Sequence, residues 1–368
     1  MSANSTHFTS LMRFVRRNSG RLTFLTLTAG GLVVAYRYFR TQMNTVNSTL
    51  EAERVAGARS LRAVFLANKN TIQKAYMALL PEIGAILSAC ESIDCSAILK
   101  RLRERPPLQE KASLWERLKI ASVTHLVTAI FLIVTVHVTI SMQINLLARY
   151  SAYYADAPVQ SLPSGDLQPS TSKSFLDLCR RVLSNADVDG LTKQVEAEVR
   201  ANVKDVKLTA VYDAQRVECL LSNCIRGLSE ESKMHSLSRL PEYWFRNELR
   251  TLREESEREK NLDWLLEESL DLCECLDVSE VVESSSFDVV HHLCEQLGQE
   301  MTNGSAKGLP FAHLLARFEK LSKSLFTGEI ENVVRDNESG VQFAACVFLS
   351  GEKQAKSTSN AGVGEDVR

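Results

Sequence analysis

The sequence has little of what a β-rich, a disordered or an exported protein would need. Its 368 residues include only 16 glycines and 8 prolines, and no strand-like alternation of apolar and polar residues runs for any length. The nine cysteines are an odd number without a repeating spacing, which favours free thiols in a reducing compartment over a disulfide framework. Because 45% of the residues are hydrophobic, the chain can bury a sizeable core. These features predict an all-α fold.

Patterns that carry enzyme chemistry or hold metals are also missing. Cys273-x-Cys275 and Cys219-x4-Cys224 lack a second pair at zinc spacing. His291-His292 are neighbours that point about 100° apart on a helix. The 43 basic and 45 acidic side chains give a net charge of −2, with no basic excess for nucleic acid. We therefore expect no enzyme activity, no catalytic residue, no metal or cofactor, and neither a nucleic-acid partner nor a small-molecule substrate.

Acidic residues are absent before Glu51, and the leader carries six arginines instead. Residues 22–39 are apolar except for threonines and Arg37, and 18 helical residues span about 27 Å, close to the ~30 Å hydrocarbon core of a bilayer. We expect a membrane anchor here. The residues expected to hold the anchor in the membrane are Leu22, Phe24, Leu25, Leu27, Leu32, Val33, Val34 and Tyr36. A mitochondrial presequence shares this Arg-rich, acid-free composition and stays an alternative.

The longest uncharged apolar run lies between Leu126 and Ile140. Its 15 residues are fewer than the roughly 20 of a bilayer span, and they include His137 and three threonines. The preceding segment has apolar residues at helical steps: Leu114, Trp115, Leu118 and Ala121. We interpret residues 112–150 as the long central helix of an elongated helical bundle, with a second membrane span as the alternative.

Prolines and a proline- and serine-rich segment indicate breaks along the rest of the chain. Pro81 predicts a kink or restart in the first long helix, and Pro106-Pro107 predict a break before Trp115. Residues 155–173 are rich in proline and serine and predict a flexible loop. The expected division is a basic segment over 1–21, the anchor over 22–39, the helical domain over 40–350 and a flexible tail over 351–368.

One stretch carries a resemblance to a known family. The residues Leu114-Trp115-Glu116-x-Leu118-Lys119-Ile120, followed by Gln143-Ile144-Asn145-Leu146-Leu147 and Tyr150, resemble the peroxin-three family, also called peroxisomal biogenesis factor three. Weaker similarities flank this frame at 77–81, 98–106 and 308–312. Two departures stand out. Ala148 and Arg149 occupy positions where the family often has glycines, and the loop before Trp115 is two residues longer than expected.

The resemblance implies an N-terminally anchored, all-α docking receptor in the peroxisomal membrane, a single-pass protein with its large domain facing the cytosol. It implies peroxin-nineteen as partner, the carrier of newly made peroxisomal membrane proteins, whose amphipathic N-terminal helix enters a groove. Carried over residue by residue, the groove takes in Trp115, Leu118, Lys119, Leu99, Leu102 and Arg103, and Asn145 also matches the frame.

Other interpretations remain open from the sequence. Helical periodicity alone favours a core position for the indole of Trp115. A tether, inheritance or pexophagy adaptor scaffold on the peroxisome would use the same kind of anchored helical domain. A mitochondrial membrane-anchored helical protein would also fit the composition of the leader.

Overall fold

The computed structural model describes residues 52–90, 94–153, 169–185, 188–229, 239–254, 260–274, 276–303 and 308–361. The basic segment 1–21 and the predicted anchor 22–39 lie outside the described residues, as does most of the predicted loop between 155 and 173.

The described residues form helices almost throughout, which confirms the predicted all-α fold. The helices of the first half are α1 (Ala52–Ser88), α2 (Cys95–Arg103), α3 (Leu108–Tyr153), α4 (Pro169–Leu176), α5 (Leu178–Asn185) and α6 (Val188–Val203). The second half contains α7 (Ala214–Ser229), α8 (Leu240–Glu254), α9 (Lys260–Cys273), α10 (Leu276–Asn303), α11 (Phe311–Ser324), α12 (Glu331–Asp336) and α13 (Glu338–Ala361). Two strands of two residues each, β1 (Val211–Tyr212) and β2 (Leu309–Pro310), precede α7 and α11.

Helix α3 is the centre of the bundle, as the sequence predicts. Every other described helix packs against it. From Val123 to Ile140 its side chains are buried on all faces except at His125, which matches an apolar run without a polar side. Leu108–Ser151 is long and apolar enough to cross a membrane, but 94% of its most apolar stretch is buried by the rest of the protein. Its surroundings are those of a core helix.

Helix α1 runs antiparallel along α3 and continues through Pro81 without a break. The amide Nδ2 of Asn68 donates to Oδ1 of Asn145 at 3.3 Å, and the Tyr76 ring meets His137 edge-on with centroids 5.1 Å apart. Pro81 is exposed, so the carbonyl that lost its helical donor can be hydrated, which explains why the predicted restart does not occur.

A buried ion pair joins the far end of α3 to the C-terminal half. Arg149 is 2% exposed, and its Nη2 donates to Oε1 of Glu268 on α9 at 2.7 Å. Its Nη1 donates to the Val347 carbonyl of α13 at 3.4 Å. Helix α13 itself continues to Ala361, past the point where the tail is predicted to begin. Arg149 thus connects three helices at a position where the similar family often has glycine.

The two short strands secure the turn that follows α6. They pair antiparallel, with Val211 opposite Pro310 and Tyr212 opposite Leu309. The amides of Phe311 and Ala312 extend this pairing by donating to the carbonyls of Ala210 and Leu208, at 2.9 and 3.0 Å. The segment 204–210 is thereby fixed against the start of α11 and lies beside the first part of α3.

Candidate functional site: a docking surface at the start of the central helix

Helix α2 is a short amphipathic helix with an N-terminal cap. The carboxylate of Asp94 accepts a hydrogen bond from the Ala97 amide at 2.9 Å, which satisfies one of the free donors of the first turn. Its last turn carries three cations, Lys100, Arg101 and Arg103, where positive charge favours a helix C-terminus. Ile98 is buried and fixes which side of α2 faces the core.

The link between α2 and α3 is tightly constrained. Arg105 follows α2 in the left-handed region at φ 55°, a conformation that costs a residue with a Cβ roughly 1–2 kcal/mol. Pro106 and Pro107 restrict the next two residues, and α3 begins at Leu108. The predicted break before Trp115 is confirmed, and α2 is held against α3 in one orientation.

Hydrogen bonds identify one edge of the seam between the two helices. Arg101 donates through Nε to Glu110 of α3 at 2.9 Å and through Nη1 to Glu104 at 2.8 Å. Arg103 lies two residues further, about 200° around the helix, so it belongs to the opposite edge. Cys95 at the start of α2 lies 3.6 Å from Ser122, whereas Arg101 near its end contacts Glu110, so α2 runs antiparallel to α3.

Trp115 lies in the first part of α3 and is half-buried. Its ring packs against the hydrophobic core, and so do the half-buried side chains of Leu99 and Leu102 on α2. Arg103 is exposed beside them. Leu99, Leu102 and Arg103 lie on α2 and Trp115 lies on α3, and these two helices pack against each other. We call Leu99, Leu102, Arg103 and Trp115 the α2–α3 surface.

Leu118 and Lys119, predicted in the same groove, are placed beneath this surface. Leu118 is 2% exposed and belongs to the core, and the Lys119 side chain is 1% exposed. The Lys119 ammonium donates to the Val206 carbonyl at 2.9 Å and pairs with the Glu116 carboxylate at 2.6 Å. Both side chains are buried in this structure, and their contact with a partner stays a prediction.

Asn145 lies far from the other predicted residues. Thirty residues separate it from Trp115, about 45 Å along an α-helix. It is fully buried, accepts from Asn68 and donates through Nδ2 to the Ser141 carbonyl at 2.8 Å. The structure gives Asn145 a place in the packing of α1 on α3, and its role in partner binding stays a prediction.

Sequence reasoning missed one residue at this surface. Leu108, the first residue of α3, is 84% exposed, the highest exposure among the large hydrophobic side chains of the described residues. Leu108, Ala112 and Trp115 are four and three residues apart and so lie on one helix face. That spacing is visible in the sequence, whereas the exposure of Leu108 depends on the tertiary fold.

Chemistry elsewhere in the described part of the chain does not suggest a catalytic centre. No group of three or more His, Cys, Asp or Glu there is placed to hold a metal ion. An open depression between α10 and α11 is lined by Glu300, Leu309, His313, Ala316, Arg317 and Lys320. Glu300 forms ion pairs with Arg317 and Lys320 in it, which leaves no evident nucleophile with a base beside it.

Known proteins match this same part of the chain. The family model described as Peroxin-3 matches residues 101–187, from the end of α2 into the segment after α5. Peroxisomal biogenesis factor 3 of Rattus norvegicus is 25% identical over 187 residues, 50% of this chain and 48% of that protein. The Homo sapiens protein of the same name is 25% identical over 231 residues, 62% of this chain and 59% of that protein.

The chain spans about half the length of the curated relatives it matches. The family match includes the last three residues of α2 and all of the central helix. The match covers six of the seven predicted partner residues, and five of these lie on α2 or in the first part of α3: Leu102, Arg103, Trp115, Leu118 and Lys119. The resemblance of this chain to the peroxin-three family is confirmed.

Proposed function

We propose that this protein acts in peroxisome biogenesis as a docking receptor in the peroxisomal membrane, where it receives peroxin-nineteen loaded with membrane-protein cargo. Residues 22–39 anchor the chain in the membrane, and the helical domain faces the cytosol. The α2–α3 surface binds an amphipathic helix of peroxin-nineteen. The observation that carries the proposal is the half-exposed Trp115 in the segment matched by the Peroxin-3 family model.

The composition of the α2–α3 surface suits a helical partner. Leu99, Leu102 and Trp115 rest on the core with part of each side chain in water, so a partner can bury the remainder without rearranging the fold. Helix-in-groove recognition relies on apolar anchors of this kind, and tryptophan is among the residues most enriched at binding hot spots. Arg103 at the edge supplies a positive charge beside the apolar residues.

The buried residues beneath the surface have a positioning role in this proposal. Lys119 holds the carbonyl of Val206, so the turn after α6 stays fixed against α3. Leu118, the residue before Lys119 on α3, packs in the core. Both side chains keep the backbone of α3 at Trp115 in place, which lowers the cost of ordering the surface when the partner binds.

The test is binding of the full chain, kept in detergent, to full-length peroxin-nineteen by isothermal calorimetry. Trp115→Ala should remove a hot-spot contact of about 2 to 4 kcal/mol, a loss of roughly 30- to 1000-fold in affinity. Thermal unfolding of the same samples separates this effect from loss of fold, because truncation of a core tryptophan costs about 3–5 kcal/mol of stability.

Trp264 provides a matched control. It is also half-buried against the core, where its ring lies 5.6 Å from that of Tyr150 in a different part of the bundle. Trp264→Ala should leave the affinity for peroxin-nineteen unchanged in the folded protein. Parent-like affinity of folded Trp115→Ala would refute the docking assignment.

A further inference from the structure

The apolar surface around Trp115 continues to the first residue of α3. Leu108 is 84% exposed, although a leucine side chain gains roughly 1.5–3 kcal/mol when it is fully buried. Leu108, Ala112 and Trp115 form a row on one face of α3, and seven residues correspond to about 10 Å along the axis. Ala112 is exposed between the other two.

Charge around the row is predominantly positive. Residues 100–117 contain six cations and three carboxylates, a difference of +3. All three carboxylates are engaged, Glu104 and Glu110 by Arg101 and Glu116 by Lys119. The exposed side chains of Lys100, Arg103, Arg105 and Lys111 form no ion pair with another described residue. A partner with negative charge would therefore meet four cations that are free to bind it.

We infer, on the basis of the proposed function, that the bound partner helix extends over Leu108 and carries acidic residues on both sides of its apolar stripe. The row of apolar residues matches a helix, whose side chains recur every three to four residues along one face. The flanking cations then pair with its carboxylates and speed association. The chain's own first 50 residues are a poor occupant, because they contain six arginines and no acidic residue.

Two substitutions in the full chain test the extension against peroxin-nineteen. Leu108→Gln keeps the size of the side chain and should lower the affinity roughly tenfold by removing apolar contact. Lys111→Glu should lower it by about threefold to tenfold, with a smaller loss at high salt because rim charges are screened. Neither should shift the thermal midpoint, since both side chains are exposed.

Controls come from exposed residues of α1. Leu66 is 51% exposed and Lys74 is also exposed, so Leu66→Gln and Lys74→Glu repeat the same chemistry away from the surface and should bind as the parent does. Trp115→Ala is measured in parallel. If Trp115→Ala loses affinity while Leu108→Gln and Lys111→Glu bind normally, the extension is wrong and the docking function stands. If folded Trp115→Ala also binds normally, the docking function fails too.

The same variants distinguish other occupants of the row. Flotation with vesicles of phosphatidylcholine, with and without phosphatidylserine, tests for a membrane surface. Sedimentation of the free chain tests for self-association, and a peptide of residues 1–50 tests for the leader. A Leu108→Gln effect confined to any of these, with peroxin-nineteen binding unchanged, would overturn the inference.

Discussion

At the scale of single residues, His137 shows how burial sets charge in the core. It is 7% exposed, and its Nε2 has no hydrogen-bond partner among the described residues. Desolvation, together with smaller contributions from the positive charges of Arg335 and Lys69, lowers the pKa of His137 to about 4. The imidazole is therefore neutral in the folded protein at neutral pH.

This pKa predicts a pH-dependent stability. The unfolded chain takes up the proton at a pKa of about 6.5, so it binds more protons than the folded state between roughly pH 6.5 and 4. Neutral His137 therefore makes its full contribution to the free energy of unfolding above about pH 6.5, and this contribution is lost as the pH falls. From about pH 7 to about pH 5 the loss should be about 2 kcal/mol.

The measurement is unfolding free energy against pH for the parent and His137→Leu. Between about pH 7 and about pH 5, the unfolding free energy of His137→Leu should fall by about 2 kcal/mol less than that of the parent. His313, which is exposed on α11, supplies the control, and His313→Leu should follow the parent curve. Parallel curves for His137→Leu and the parent would contradict the assigned burial effect.

Single residues also show where sequence reasoning reaches its limit. The helical period correctly groups Trp115 with Leu118 near one side of α3, but it does not reveal what covers that side. Lys119 is buried because the carbonyl of Val206, 87 residues away in the sequence, approaches its ammonium. A lysine among charged neighbours looks solvent-exposed in sequence, and only the tertiary contact buries it.

At the scale of elements, α1 contains a proline that should lower its stability. Pro81 lies inside a helix that runs from Ala52 to Ser88, where its ring removes one backbone hydrogen bond. Because Pro81 is exposed, its ring gains little from packing in return. Pro81→Ala should raise the unfolding free energy by about 1–3 kcal/mol. The midpoint of thermal unfolding of the full chain provides the measurement.

Pro107 serves as the control for this substitution. It is exposed and precedes α3, where no helical hydrogen bond is lost to the proline ring. Pro107→Ala should change stability little or lower it slightly, because proline restricts the unfolded chain. A fall in stability for Pro81→Ala would contradict this prediction.

The elements themselves were largely predictable from local patterns. The apolar run of α3 and the break at Pro106-Pro107 both follow from the side chains concerned. The pairing of β1 with β2 did not, because two residues carry no periodicity and the partners are 99 positions apart at Val211 and Pro310. That pairing brings together the residues that precede α7 and α11.

At the scale of the whole molecule, the proposed orientation gives a direct prediction. Residues 1–21 are expected in the peroxisomal matrix and the helical domain in the cytosol, an orientation taken from the family resemblance. Local charge favours the opposite orientation, because four arginines precede the span and two lie at its far end. Protease added to intact organelles should digest the helical domain, and a protected domain would contradict the assignment.

Glycosylation gives a second view of the same orientation. Asn47, Asn303 and Asn337 begin acceptor sequons beyond the anchor. Asn337 is buried, and its Nδ2 donates to Ser284 at 3.0 Å and Asp288 at 2.7 Å, so it is unsuitable for a glycan in the folded protein. The informative sites are Asn47 and Asn303, which should remain unmodified.

The central claim is that the start of α3, together with α2, receives the partner, and hydrogen exchange tests it most directly. Full chain in detergent is compared with and without saturating full-length peroxin-nineteen. Amides of residues 94–119 should exchange more slowly in the complex, while α8, α9 and α13 stay unchanged. Protection confined to other helices, with residues 94–119 exchanging as in the free protein, would contradict the account.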